Sequence, residues 1–167
     1  WWTRLQRLPY FTALAAAIAE FATSGSVTLG TAAQLVSLCE RPASRDWLIA
    51  RTILRADSDT VGTLIACVSR AVDAEAGPLC TVLAAVAYRV GDGALAHCAL
   101  DRADLVGPPT RLSTILRDFI GAGLPPRDLE TLADVAGQCS SIVAEPAGPT
   151  QNDLGEGDIT GSASGAS

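Results

Sequence analysis

Helical periodicity recurs about eight times along this chain, each time bounded by glycine, proline or a capping residue, while no stretch alternates apolar and polar residues long enough to make a strand. This restricts the fold to the all-α class, with about seven or eight short helices stacked as antiparallel hairpins, because the connections between the periodic segments are short. At 167 residues the chain has enough apolar material for one core without disulfide or metal staples.

The first segment follows Pro9 and sets Phe11, Leu14, Ala15, Ile18 and Ala22 on one face, ending at Ser24-Gly25-Ser26. Thr31 to Gln34 has the spacing of a capping box ahead of Leu35, Leu38 and Cys39, and Pro42 closes that helix. Ser44 is placed to cap a third segment carrying Trp47, Ala50, Ile53 and Leu54. Asp57 or Ser58 opens a fourth with Val61, Leu64, Ile65, Val68 and Val72. Gly77-Pro78 is expected to separate it from a fifth, which buries Leu79, Val82, Leu83, Val86 and Val90. A turn at Gly91-Asp92-Gly93 leads into a sixth with Ala96, Ala99, Leu100 and Ala103. Beyond Gly107-Pro108-Pro109 come a seventh with Leu112, Ile115, Leu116 and Phe119, and an eighth with Leu129, Leu132, Ala133 and Ala136.

Two regions follow: a helical-hairpin domain over 1–145, expected to be a fragment of a longer protein because the chain begins Trp1-Trp2 and has no methionine, and a disordered tail over 146–167. The tail is glycine, serine, proline and acid, with too little apolar surface to order itself. Its Asp153, Glu156 and Asp158 supply half of the net charge of -6.

Charge and composition exclude several classes of function. All 12 basic residues are arginine, spread along an acidic chain, so no basic face is available for a phosphate backbone and nucleic acid is not expected as a partner. The most apolar stretch, Ala13 to Ala19, is far shorter than the ~20 residues that span a bilayer, so no membrane partner is expected. Five cysteines, Cys39, Cys67, Cys80, Cys98 and Cys139, are odd in number, widely spaced and set in apolar helical stripes. They read as small buried hydrophobes in a reducing, cytoplasmic protein.

The segment Leu83 to Pro108 can be laid on the tetratricopeptide pattern. Leu83-Ala84, Gly91, Ala96, Leu100, Ala103 and Pro108 fall at its small and apolar positions, Ala87 standing where the large aromatic is usual. Small side chains at Ala96 and Ala103 let two helices approach closely, Gly91 permits the turn, and Pro108 stops the second helix. One tetratricopeptide-like hairpin is inferred, without an array. The longer run from Leu83 through Tyr88, Gly91-Asp92-Gly93 and Asp101-Arg102 to Ala103, with Leu112, Pro125-Pro126 and the upstream Ser44-Arg45-Asp46, resembles an uncharacterised actinobacterial family, the domain of unknown function 4192. The resemblance spans about Ser44 to Leu132 and implies the helical C-terminal portion of that family, whose members usually carry a further region before it. Tyr88 stands where the family has tryptophan. The resemblance implies no activity.

The residues that could carry chemistry are few, and no catalytic, cofactor-binding or metal-binding residue is assigned. Gly91, Asp92 and Gly93 put backbone amides and a carboxylate in one turn, though a structural turn is the favoured reading and no phosphate-loop lysine follows. His97 and Asp101 share a helix face, but two ligands do not close a metal site and the chain has no second histidine. His97 and Cys98, adjacent on a helix, diverge by about 100° and cannot form a nucleophile pair. Asp101 and Arg102 are candidate interaction residues, with a tie between helices favoured for Arg102 over a bound carboxylate.

The chain is therefore expected to act as a helical scaffold or protein–protein interaction module, its partner a protein or the missing N-terminal region of the same chain, since hairpin stacks leave a face on which segments dock. The alternative is the C-terminal helical part of an enzyme whose catalytic residues lie in that missing region, with Gly91 to Gly93 and Arg102 completing one wall. A third reading is an oligomerisation surface built on Trp1, Trp2 and the first helix.

Overall fold

The computed structural model describes residues 9–54 and 56–131. They form seven α-helices: α1 (Pro9–Ser24), α2 (Leu29–Cys39), α3 (Pro42–Ile53), α4 (Ser58–Val68), α5 (Asp73–Arg89), α6 (Gly93–Val106) and α7 (Arg111–Gly121), followed by a 3₁₀ turn at Pro126–Asp128. Among the described residues there is no strand.

The fold is organised around α5. Nine consecutive residues, Leu79 to Ala87, are buried, so this helix has no solvent face over that stretch. A helix apolar on every side must be surrounded, and α5 touches α2, α3, α4, α6 and α7. Its composition allows this. Alternating small and branched side chains (Cys80, Val82, Ala84, Ala85, Val86, Ala87) leave room for several helices at once, and Thr81, the one hydroxyl among them, is satisfied by donating to the Gly77 carbonyl at 3.1 Å. The same i−4 device serves Thr52, donating to Leu48 O at 2.8 Å, and Thr63, donating to Asp59 O at 2.7 Å.

α5 begins earlier than the sequence pattern indicates. The expected break at Gly77-Pro78 lies inside the helix, and the chain instead turns over Ser69 to Val72. Pro78 removes a single N–H, whose partner would be the carbonyl of Ala74. Ala74 is exposed in the first turn, where water can satisfy that carbonyl, and Gly77 has no Cβ to meet the proline ring.

The α5–α6 pair is an antiparallel hairpin. At its closed end Gly91 has φ 91°, and the amides of Asp92 and Gly91 bond back to Ala87 O at 2.9 Å and Tyr88 O at 3.0 Å, which ends α5 in a Schellman motif. The Asp92 carboxylate then accepts from the Leu95 amide at 2.9 Å and caps α6. At the open end Gly77 lies against Val106 and the Ala103 carbonyl. The four α6 positions expected in the core, Ala96, Ala99, Leu100 and Ala103, are all buried. Phe119 of α7 meets Tyr88 edge-on, with ring centroids 6.0 Å apart, and Tyr88 donates its hydroxyl to Leu124 O at 2.7 Å. Arg89 pairs with Glu130.

On α1 the buried side is Ala13, Leu14 and Ala17 with Ile18 and Phe21 half-buried, whereas Ala15 and Ala22 face solvent. The helix α2 is capped by Thr28, which accepts from the Thr31 amide at 3.3 Å, so the box expected at Thr31 to Gln34 sits one turn inside the helix. Pro42 is the first residue of α3, where a missing N–H costs nothing, and Ser44 therefore does not cap that helix. Leu54, Ile65, Val72, Val90 and Ile115, expected to be apolar contacts, are exposed. Asp57 caps α4, accepting from Thr60 N at 2.8 Å, and Thr110 caps α7 in a capping box with Ser113. Cys39, Cys67 and Cys80 are buried as expected, but Cys98 is exposed. Trp1, Trp2, Phe11's side chain, Cys139, most of the eighth segment and the 146–167 tail lie outside the described residues.

Candidate interaction surface

Helix α1 has an unusual outer side for a surface helix. Between Thr12 and Ser24 its only charge is Glu20, and Ala15, Ala16, Ala19 and Ala22 are all exposed. Alanine is the best helix former and loses no side-chain entropy, which explains why the segment is helical. It does not explain an outer face without charge.

Glu20 is not available to that face, because its carboxylate is bound to the start of α2. One oxygen accepts from the Thr28 amide at 2.6 Å and the other from the Thr31 hydroxyl at 2.6 Å. The bond from Thr31, with those from Thr28, holds the Glu20 carboxyl below its ordinary value. A carboxylate at a helix N-terminus also meets the positive end of the helix dipole. This clamp fixes the α1–α2 corner, where Gly25 at φ 67° ends α1 with its amide on Phe21 O at 2.7 Å.

At the opposite end of the same pair, α1 and α2 flank an open groove of about 730 Å³. Ala13, Ala16, Ala33 and Leu38 form its apolar lining, and Thr12, Gln34 and Ser37 add polar atoms. Leu29, 68 % exposed, stands at the first residue of α2. The groove brings together residues 12–16 and 33–38, which confirms that α1 and α2 run antiparallel.

The residues singled out from the sequence are placed elsewhere. Gly91 to Gly93 form the α5–α6 turn, with the Asp92 carboxylate engaged in the α6 cap. Arg102 donates to Asp73 at 3.1 Å and ties α6 to the first residue of α5. These two features are separated by the length of α5, about 24 Å at 1.5 Å per residue, so they do not converge on one cavity. Asp101 accepts from Arg117 of α7 at 3.0 Å, and the same guanidinium reaches Asp104 at 2.6 Å. The hydrogen bond to Asp101, with the charge of Asp104, raises the Arg117 value. Arg45 folds onto its neighbour Asp46 at 3.0 Å. His97 is exposed beside Asp101, and among the described residues no group of three or more His, Cys, Asp or Glu is arranged to hold a metal ion.

The buried thiols are unreactive by construction. Desolvation pushes Cys39 up to about 12 and Cys67 up to about 11, and raises Cys80 as well. No helix among the described residues is long and apolar enough to cross a membrane.

The sequence does not single out Ala16, Ala33 or Ser37, and Gln34 was read there as a capping residue. The available signal was the alanine content of α1, which leaves Glu20 as the one charge between Thr12 and Ser24.

A helix buried on every side from Leu79 to Ala87 and enclosed by five others makes this an all-α assembly of helical hairpins. The chain belongs to the family described as Domain of unknown function (DUF4192), whose model matches residues 6–127. The match takes in α1 and α2 as well as the stretch from Ser44 onward. No curated protein and no solved structure matches the chain.

Proposed function

We propose that this domain is a helical scaffold that engages a protein segment, supplied by a partner or by a further region of the same polypeptide preceding it. The observation that carries the reading is the outer side of α1, where Ala15, Ala16, Ala19 and Ala22 are exposed and Ala16 lines the open groove against α2. Stacked helical hairpins that end on solvent normally present a polar outer face. The alanine side of α1 instead suits close approach by another helix, because small side chains let backbones come near.

The test uses the full 167-residue chain and the polypeptide encoded immediately upstream of it, expressed separately. Ala16→Glu and Ala33→Glu place charges at exposed positions without entering the core. The expected result is association that protects α1 and α2 amides from hydrogen exchange, lost in both variants while Tm is kept. Protection confined to the α6–α7 side, or association unaffected by either substitution, overturns the assignment of the surface. The enzyme reading draws no support from Gly91 to Gly93 and Arg102, whose contacts close a turn and an ion pair at opposite ends of α5.

A further inference from the structure

We draw no further inference here: the strongest candidate, the alanine-lined groove between α1 and α2, belongs to the surface already described, and nothing in the structure shows what covers it.

Discussion

Gly62 offers the sharpest test of how α1 is held against α4. A Cβ built at this position would lie 2.6 Å from Cε1 and 2.7 Å from Cζ of Phe21. Carbon contacts settle at about 3.5 to 4.0 Å, so the ring must retreat by roughly 1 Å. Forcing an extra methyl group into a packed contact costs about 1 to 3 kcal/mol. Against this, replacing glycine by alanine within a helix gains about 1 kcal/mol in propensity. Phe21 is half-buried, so its ring can yield toward solvent, which keeps the cost toward the lower end. Gly62→Ala is therefore expected to leave the domain unchanged or destabilise it by up to about 2 kcal/mol. In a Phe21→Ala background the collision is gone, and the same substitution should stabilise by up to about 1 kcal/mol. The coupling between the two positions is then about 1 to 3 kcal/mol, read from urea midpoints at constant m in a double-mutant cycle. Gly30 is the internal control. Its added Cβ meets nothing within 4 Å, and its Ala variant should only gain. If Gly62→Ala raises the midpoint as much as Gly30→Ala does with Phe21 intact, α1 and α4 do not approach as described.

Three further outcomes follow from the same contacts. Leu79→Ala, at a fully buried position at the centre of α5, should cost about 2 to 5 kcal/mol in chemical denaturation, and a loss under 1 kcal/mol would contradict the enclosure of that helix. The Glu20 carboxyl has a folded value below its unfolded one, so its clamp on α2 contributes above the unfolded value of about 4.3 and is lost as pH falls through the folded value. Melting temperature measured from pH 7 to pH 3 should therefore fall less steeply in Glu20→Gln than in the parent, and parallel curves would remove the clamp from the account. Alkylation at pH 8 with peptide mapping should label exposed Cys98 in the native chain, and Cys39 and Cys67 only after unfolding, since burial sets those thiols near 12 and 11. Equal labelling of Cys39 and Cys98 would show that the α2–α4 contact opens readily.

Legibility differed from helix to helix for a physical reason. The α5–α6 hairpin was readable because its punctuation has one meaning: Gly91 takes a positive φ that only glycine adopts freely, Asp92 caps, and Ala96, Ala99, Leu100 and Ala103 repeat at one helical period. In α1, by contrast, alanine occupies so many positions that Phe11, Leu14, Ala15, Ile18, Ala22 and Ala13, Leu14, Ala17, Phe21 are equally good stripes, and only packing against α2 and α4 chooses between them. Gly77-Pro78 misled for another reason. Proline's cost in a helix is local, and one missing bond near an exposed first turn is outweighed by continuing a helix that is buried on every side from Leu79 to Ala87. The caps at Thr28 and Thr110 are visible as residue types, but Glu20's role depends on a tertiary approach between α1 and α2 that spacing alone does not encode.

The two ends of the domain are finished in different ways. Around the C-terminal hairpin, Asp101, Asp104 and Arg117 join α6 to α7, Arg102 and Asp73 join α6 to α5, and Arg89 and Glu130 join α5 to the chain beyond α7. Exposed ion pairs of this kind add little stability, each about 0 to 1 kcal/mol, and they share this side with exposed apolar side chains, Leu105 at 86 % above all, with Val90, Ile115 and Leu124. On the α1 side the only charge between Thr12 and Ser24 is engaged with the start of α2, and the other exposed residues are alanines with Thr12, Thr23 and Ser24, beside an open groove. Our proposal that the α1–α2 side is the docking surface therefore rests on the small side chains of α1 and the groove beside them, and Ala16→Glu and Ala33→Glu weigh it against the side that exposes Leu105.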